Sequence, residues 1–275
     1  MSNNNLASKQ ELASSFGRAA KSYDEAAHLQ KVVGARLLDY LKTHWRGSRP
    51  NRLVDLGCGT GFFAESLVES FGPANLVCLD ISEDMLAFTS QRIDELDLDI
   101  ASSFLVSDAE RLGIQSSSVE LIFSSLALQW ADDLQSALVE AHRVLKPGGV
   151  IAYSTLLDGT LFELKESWAS VDSRKHVNSF LSLDLSVEIA RLAGFTLEVS
   201  ICEDVVLEYD KPIQLMRDLK SIGAHNMAQG RSKGLTGKSK IAKVSDAYEK
   251  YRRADGYVPA TYRAGYFVLK KGGLA

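Results

Sequence analysis

The stretch RLVDLGCGTG at residues 52–61 decides the fold of this chain. Its first five residues form a mostly apolar run, and three glycines at alternate positions follow: Gly57, Gly59 and Gly61. Residues 62–71 continue with apolar side chains at helical spacing and close on Gly-Pro. A short strand, a glycine loop and a helix in this order predict the first unit of an α/β sheet. Glycine lets the backbone of such a loop turn tightly and approach a ligand closely.

The segments after this loop alternate between apolar runs and helical patterns. Because each strand is nearly all apolar, the pattern indicates a parallel sheet that is covered by helices on both faces. The predicted fold class is therefore α/β, a Rossmann-like, doubly wound and mostly parallel sheet with helical lid insertions. The further predicted strands of this part are residues 75–79, 104–106, 119–123 and 150–154, and its helices begin at Ser82 and span residues 134–145.

The whole chain, residues 1–275, is predicted to form a single domain. Residues 1–48 predict an N-terminal helical lid, residues 52–155 a cofactor-binding half and residues 156–275 a substrate half. Two segments of the last part, 158–182 and 211–258, are insertions at strand ends, where α/β sheets build their ligand sites. Within the substrate half we expect a helical stretch over residues 156–181, a helix over 184–192 and strands over 197–207 and 262–269.

Composition excludes several classes of protein. The chain is 45% hydrophobic and 24% charged, as in ordinary globular proteins. Its three cysteines are too widely spaced for a disulfide framework or a metal knuckle, so we expect free thiols and no metal. The polar start lacks the features of a signal peptide, and no apolar run is long enough to span a bilayer. We therefore expect a cytoplasmic protein without a membrane partner.

Charge is distributed unevenly along the chain. The formal net charge is −4, yet residues 211–275 carry 14 lysines and arginines against 4 aspartates and glutamates. A basic segment on an acidic protein indicates either an anionic partner or a solvated basic face.

Carboxylates follow two of the predicted strands. Asp80 ends the second strand, where it can accept hydrogen bonds from two ribose hydroxyls. Asp108 ends the third strand, where it could accept the amino hydrogens of adenine. The third glycine comes two residues after the second, which makes the loop shorter than in dinucleotide-binding enzymes. The loop would then hold the amino-acid tail of a different adenosine cofactor.

These features resemble the class I methyltransferases that use S-adenosyl-L-methionine. The resemblance rests on DLGCGTG at 55–61, Asp80, DAE at 108–110 and RVLKPGG at 143–149, and it covers about residues 52–155. It implies S-adenosyl-L-methionine as the cofactor. The residues predicted to bind this cofactor are Gln30, Asp55, Gly57, Gly59, Gly61, Asp80, Ile81, Met85, Asp108, Ala109, Ser125 and Leu126.

Further segments resemble the malonyl-[acyl-carrier protein] O-methyltransferases of biotin synthesis. They are SFGRAAKSYD at 15–24, SLALQW at 125–130, VNSFLS at 177–182, LKSIGAHN at 219–226, GLTG at 234–237 and PATY at 259–262. This resemblance implies methylation of the free carboxylate of malonyl-carrier protein, or of malonyl-coenzyme A. The methyl ester then primes pimeloyl and biotin synthesis. Some relatives carry a fused esterase, which we expect here to be a separate protein.

A carboxylate acceptor is ionised at neutral pH, so we expect no general base. Arg174 is predicted to pair with the acceptor carboxylate, helped by His176 and Asn178. Tyr23 is predicted to close the pocket where the methyl group is transferred. His225, Asn226 and Arg231 are predicted to complete the lid. The alternatives are a surface role for Arg174, a packing role for Tyr23 and a structural role for His225, and Trp130 is interpreted as a core residue.

An acidic carrier protein would fit the basic segment. The candidate docking residues are Lys233, Lys238, Lys240, Lys243, Arg252 and Arg253. Competing functions are methylation of a small carboxylate or quinone precursor, methylation of RNA and cofactor binding without catalysis. The basic segment lacks regularly interleaved aromatic residues and a readable RNA-binding module, so we expect no nucleic-acid partner.

Overall fold

The computed structural model describes residues 2–221 and 238–273 of the chain. Its centre is a seven-stranded sheet in the order β3-β2-β1-β4-β5-β7-β6. The first five strands of this order pair in parallel, and β7 lies antiparallel between β5 and β6. The predicted fold class is confirmed. The strands are β1 Arg52–Leu56, β2 Asn75–Asp80, β3 Ala101–Val106, β4 Val119–Ser125, β5 Leu145–Leu156, β6 Phe195–Tyr209 and β7 Val258–Lys271.

Helices cover both faces of the sheet. Three of them begin at a polar side chain that caps the first turn: Ser82 accepts a hydrogen bond from the Met85 amide at 3.4 Å, Asp133 from the Gln135 and Ser136 amides, and Ser182 from the Leu185 amide. The helices are α1 Ser2–Ala26, α2 His28–His44, α3 Ala64–Phe71, α4 Glu83–Glu95, α5 Leu134–Val144, α6 Phe162–Ala169, α7 Leu183–Leu192, α8 Pro212–Ser221 and α9 Lys238–Tyr248, with single 3-10 turns at Leu128–Trp130 and Glu249–Tyr251.

Among the helices of the described ranges, none combines the length and the apolar character that a bilayer-spanning segment needs.

Consecutive strand residues alternate between two cores. Leu53 faces the core that α2 and α3 cover, where it joins Leu37 and Leu67. Val54 faces the opposite core, which α5 and α7 cover. Burying a leucine side chain of this kind contributes about 1.5–3 kcal/mol. Both faces of the sheet are therefore stabilised by apolar burial, which leaves the strand ends as the place for a polar site.

Two predicted elements differ clearly from the structure. Strand β5 begins at Leu145 rather than at residue 150, and its pairing with β4 is irregular at this point. Residue 119 of β4 pairs with Leu145, and residue 121 pairs with residue 150, so β5 has extra residues between these two pairs. The irregularity accommodates Pro-Gly-Gly at 147–149 inside the strand. The helix expected over residues 156–181 is confined to α6. After α6 the Asp172 carboxylate accepts from the Arg174 amide at 3.1 Å and bonds His176, and such local bonds compete with a continuing helix.

Helix α1 crosses the C-terminal ends of the parallel strands. It contacts α4 and α8 and joins α2 at a kink at Ala27, where φ is −84° and ψ is 38°. Gly34 of α2 lies against the ring of Phe63, which directly precedes α3. An added Cβ at Gly34 would fall 2.2 Å from two ring atoms of Phe63. The absence of a side chain at Gly34 therefore sets how closely α2 approaches the start of α3.

We expect Gly34→Ala to lower the free energy of unfolding by about 1–3 kcal/mol, because the Phe63 ring is held by Phe62 and Phe123 and has little room to move. This reverses the ordinary gain of about 1 kcal/mol for alanine over glycine within a helix. Denaturant titration measures the difference. Gly17→Ala in α1 is the matched control, because its Cβ would first meet the carboxylate of Asp84, which can rotate away. Equal stability of the two variants would contradict this account.

Candidate functional site

The glycine loop after β1 has left-handed backbone at all three glycines. The φ angles of Gly57, Gly59 and Gly61 are +73°, +56° and +73°. An added Cβ would lie 2.2 Å from the side chain of Ala127 at Gly57 and 2.7 Å from that of Thr89 at Gly61, whereas at Gly59 it would meet no atom within 4 Å. The outer glycines therefore permit close packing, and the middle one faces open space.

A cleft with about 750 Å³ of empty space lies at the ends of β1 to β4, under α1. We call it the strand-end cleft. It brings together nine of the twelve residues predicted to bind the cofactor, together with Lys9, Leu12, Phe16, Tyr23 and Trp130. The nine are Gly57, Gly59, Asp80, Ile81, Met85, Asp108, Ala109, Ser125 and Leu126.

Asp80 is fixed at the floor of this cleft by backbone donors. Its Oδ1 accepts from the Ser82 amide at 2.8 Å, and its Oδ2 accepts from the Gly59 amide at 3.0 Å. Burial raises the pKa of Asp80, although these backbone hydrogen bonds oppose the shift. A carboxylate oxygen can accept more than one hydrogen bond, so each oxygen keeps capacity for a ligand hydroxyl.

Asp55 lines a neighbouring pocket of about 480 Å³ around the glycine loop, which we call the loop pocket. Gln30 lines it too, whereas Gly61 packs against Thr89 and lines none of these spaces. Burial and then the charge of Asp80 raise the pKa of Asp55 to about 7. Among the described residues the Asp55 carboxylate has no hydrogen-bond donor. A buried carboxylate without a donor is matched by a cationic ligand group.

Lys9 of α1 meets three carboxylates at the far end of the strand-end cleft. Its ammonium pairs with Asp108 and Glu110 and lies 3.3 Å from Asp132. Burial alone would lower the pKa of Lys9, but hydrogen bonds and attraction to Asp108 and Glu110 outweigh burial and raise it. The ammonium stays charged at neutral pH, so this cluster pins the first half of α1 across the cleft.

A second space of about 700 Å³, the inner cavity, adjoins the strand-end cleft. Its walls come mainly from α1, α2, α6 and the segment before α7, and most are apolar. The two spaces share one wall, which consists of Phe16, Tyr23, Leu126 and Trp130. A ligand in the cleft and a ligand in the inner cavity would therefore meet at these four side chains.

Tyr23 holds its place in the shared wall because its neighbour Asp24 is tied to the glycine loop. Asp24 accepts from the Thr60 hydroxyl at 2.6 Å and pairs with Arg92, and its carbonyl accepts from Lys31 at 2.7 Å. Burial and then the charges of Asp80 and Asp24 raise the pKa of Tyr23 well above its usual range. The phenol therefore stays protonated at neutral pH and acts as a hydrogen-bond donor rather than as a base.

The predicted acceptor residues are only partly brought together. His176 and Asn178 line the inner cavity. The His176 ring stacks on Trp168 with centroids 3.6 Å apart, and its Nε2 lies 2.7 Å from Asp172 Oδ1. Arg174 is exposed and lies in the wall of neither space. His225, Asn226 and Arg231 lie outside the described residues.

Several residues that line these spaces were not predicted. Trp130, interpreted as a core residue, lies in the shared wall with its ring 5.5 Å from that of Phe16. Its position just after β4, at a strand end, was the signal for a site role. Gln129 of the same turn carried the same signal, whereas Lys9 was missed because only tertiary contact brings α1 to the site. Within the described ranges, no group of three histidine, cysteine or acidic residues could hold a metal ion.

Solved structures with the same fold include two bacterial proteins. A putative methyltransferase from Bacillus halodurans superposes with a TM-score of 0.62 at 16% sequence identity, over 87% of this chain and all of the other. The YcgJ protein from Bacillus subtilis gives a TM-score of 0.63 at 16% identity, with the same coverage. These similarities show the fold alone.

Comparison of sequences adds the family. A methyltransferase domain model matches residues 54–153. The chain is 40% identical over 265 residues to a malonyl-[acyl-carrier protein] O-methyltransferase from Hahella chejuensis, covering 96% of this chain and 91% of the relative. It is 38% identical to the enzyme of that name from Serratia marcescens, covering 97% of both.

A biotin biosynthesis bifunctional protein from Cellvibrio japonicus is 40% identical over 263 residues, and the chain spans about half of that relative, 50% of its length. The relatives of similar length match this chain almost from end to end, including the segments beyond the methyltransferase domain model. The chain therefore belongs to the malonyl-[acyl-carrier protein] O-methyltransferase family, within the methyltransferases that depend on S-adenosylmethionine.

Proposed function

We propose that this protein transfers the methyl group of S-adenosylmethionine to the free carboxylate of malonyl-[acyl-carrier protein], giving the methyl ester that primes biotin synthesis. The observation that carries the proposal is the shared wall, because Phe16, Tyr23, Leu126 and Trp130 are the described residues that line both the strand-end cleft and the inner cavity. The relatives named for this reaction supply the choice of acceptor.

The strand-end cleft and the loop pocket suit S-adenosylmethionine. Asp55 would face its ammonium group, Gly59 would lie against its tail and Asp80 would accept from the ribose hydroxyls. Ile81, Met85, Ala109 and Leu126 would surround the adenine, and Asp108 would accept from its amino group. Ser125 lies between the cleft and the loop pocket, and Gln30 between the loop pocket and the inner cavity. When bound, the cofactor supplies an electrophilic methyl group on a sulfonium cation.

The chain's own contribution to the reaction is positioning and exclusion of water. A malonyl carboxylate is already ionised, so no side chain needs to remove a proton. The apolar side chains of the shared wall keep water from the meeting point, which favours an attack in which an anion neutralises a cation. Holding the two reactants in line supplies the acceleration. The Tyr23 hydroxyl would orient the acceptor by donating a hydrogen bond.

His176 and Asn178 are the predicted acceptor residues that the inner cavity can use directly. Asp172 holds the His176 ring in one orientation and is itself paired with Lys240 at 2.8 Å. Arg174 would have to reach the acceptor from outside the wall, so the proposal does not depend on it. The roles of His225, Asn226 and Arg231 stay predictions.

We assign carrier docking to α8. Of the predicted docking residues, Lys240, Arg252 and Arg253 are partly neutralised by pairs with Asp172, Glu249 and Glu208. Lys243 of α9 is exposed, and Lys233 lies outside the described residues. On α8, Arg217 and Lys220 are exposed and form no ion pair with a described residue. Leu219 of the same helix lines the inner cavity. An acidic carrier protein on this helix would therefore lie beside the inner cavity. We place the protein in the cytoplasm with its carrier.

Labelled methyl transfer tests the reaction. We expect label from S-adenosylmethionine to appear on malonyl-carrier protein, to be released by mild base as methanol, and to be absent from acetyl-carrier protein. Malonyl-coenzyme A and free malonate serve as parallel acceptors. Equal labelling of free malonate would argue for a small-carboxylate methyltransferase. Absence of label from all of them, with cofactor binding intact, would refute the proposal.

Charge reversal on α8 tests docking. We expect the double change Arg217→Glu and Lys220→Glu to raise the KM for malonyl-carrier protein about tenfold at low salt, because attraction to the acidic carrier becomes repulsion. The effect should shrink as salt screens the charges. Lys42→Glu is the control, since Lys42 is exposed and lies twelve residues, roughly 18 Å, along α2 from Gln30. A KM raised equally for malonyl-coenzyme A at every salt concentration would count against carrier docking.

The raised pKa of Asp55 predicts how cofactor affinity changes with pH. Below pH 7 the apo protein holds this carboxyl protonated and neutral. A cationic ligand needs the ionised form, so we expect affinity for S-adenosylmethionine to be roughly tenfold weaker at pH 6 than at pH 8. Titration calorimetry at pH 6, 7 and 8 measures it. Constant affinity over this range would contradict the assignment.

Asp55→Asn provides the matching stability test. A carboxyl whose pKa is raised by folding destabilises the folded state when ionised, and this penalty fades as pH falls through 7 towards 4. We therefore expect the Asn variant, without cofactor, to melt higher than wild type at pH 8, with a smaller difference at pH 6. The variant should also lose the pH dependence of cofactor affinity. A lower melting temperature at pH 8 would show that Asp55 stabilises the fold instead.

A further inference from the structure

Two side-chain amides in the inner cavity have no hydrogen-bond partner among the described residues. Gln30 of α2 and Gln129 of the 3-10 turn at Leu128–Trp130 both line this cavity. The Oε1 atom of each is buried and accepts no hydrogen bond from the described residues. In the described part of the chain only the hydroxyls of Tyr153 and Tyr266 share this condition, and neither residue lines the cavity. Leaving a buried polar group unpaired costs stability, so a pair in one cavity points to a ligand.

The inner cavity also lacks fixed positive charge. Among the described residues, its wall contains no lysine and no arginine. The remaining polar groups are few, because Leu29, Leu156, Leu161 and Leu164 make up much of the surface. The Nε2 of His176 is already paired with Asp172. Neutral amides and the Tyr23 hydroxyl are therefore the donors that remain to meet an anion there.

The two amides approach the reaction point from different elements. Gln129 directly precedes Trp130 of the shared wall. Gln30 lines both the inner cavity and the loop pocket, where Asp55 lies. Since no described residue holds either amide by a hydrogen bond, each can rotate about its last side-chain bond and present its two N–H groups.

We propose that Gln30 and Gln129 hold the reacting carboxylate of the acceptor through neutral hydrogen bonds. This rests on the proposed function and names its specificity residues. One carboxylate oxygen forms the new bond to the methyl carbon, the carbon–sulfur bond breaks, and its electron pair stays on sulfur; no proton moves. The other oxygen becomes the ester carbonyl. Amides orient the anion yet leave its charge available for attack, whereas a bidentate arginine would neutralise more of it.

The same pair would discriminate between acyl groups. An acetyl group has no carboxylate and would leave both amides buried without partners, which costs binding energy. The methyl ester product is uncharged, and hydrogen bonds to a neutral acceptor are weaker than those to an anion. The amides would therefore favour the malonyl group over acetyl and release the product more easily than the substrate.

Gln129→Met and Gln30→Met test the inference, because methionine keeps the length of the side chain and removes the amide. Gln91→Met is the matched control, since Gln91 is exposed on α4 and bonds Glu95 at 2.7 Å. The measurements are kcat/KM for malonyl-carrier protein, inhibition by acetyl-carrier protein, affinity for S-adenosylmethionine and melting temperature without ligands.

We expect each cavity variant to lose about 10- to 100-fold in kcat/KM, the effect of removing a hydrogen bond to a charged group. The preference for malonyl over acetyl should fall by at least a similar factor, with acetyl-carrier protein binding as tightly as before or more tightly, because the cost of leaving that amide unpaired is removed. Gln129→Met should keep its cofactor affinity. Its melting temperature should stay level or rise, because the wild-type amide has no protein partner to lose.

An unchanged preference for malonyl over acetyl in both variants overturns the inference. A fall in melting temperature together with an equal loss of malonyl and acetyl binding also overturns it, because that result indicates a structural role for the glutamines. Wild-type protein that labels no malonyl-carrier protein refutes the proposed function and this inference together. Wild-type activity with unchanged preference in the variants refutes the inference alone.

Discussion

Both cavities depend on one junction, the hydrogen bonds by which Asp24 joins the end of α1 to the glycine loop. Asp24 accepts from Thr60 of the loop at 2.6 Å and pairs with Arg92 of α4. Lys9 secures the first half of α1 on Asp108 and Glu110. Because α1 is fixed at these two places, Phe16 and Tyr23 are held between the two spaces. The loop that is predicted to bind the cofactor thus also positions α1.

Charge is divided between the two sides of this wall. The strand-end cleft and the loop pocket contain two buried carboxylates, Asp55 and Asp80, whose pKa values burial raises. Such groups are costly without a ligand and are stabilised by a cation or by hydroxyl donors. The inner cavity has neutral polar groups in an apolar lining. An arrangement that attracts a cation on one side, and solvates an anion only lightly on the other, suits a reaction in which the two charges cancel.

The sequence predicted what depends on neighbours along the chain. The positions of Gly57, Asp80 and Asp108 could be predicted, because the C-terminal ends of parallel strands lie at one edge of the sheet whatever fold the rest of the chain adopts. The insertion of β7 between β5 and β6 could not be predicted, since the strand order depends on long-range pairing. Trp130 was misread because an apolar side chain has the same pattern in a core and in a ligand wall. Arg174 was chosen for its chemistry, although the polar stretch at residues 173–175 also allowed the exposed position that the structure shows.

Two residues that line the inner cavity have a strained backbone conformation. Leu126 and Leu161 have φ angles of +49° and +52°, a conformation that non-glycine residues seldom adopt, and both line the inner cavity. Each costs roughly 1 kcal/mol or more. The Leu126 amide is held by the carbonyl and hydroxyl of Ser154 at 3.2 and 3.1 Å, so β5 maintains the turn. Glycine would adopt this turn without strain but would remove a side chain from the shared wall. The chain therefore accepts local strain because a relaxed loop would open the cleft to the inner cavity and admit water where the carboxylate meets the methyl group.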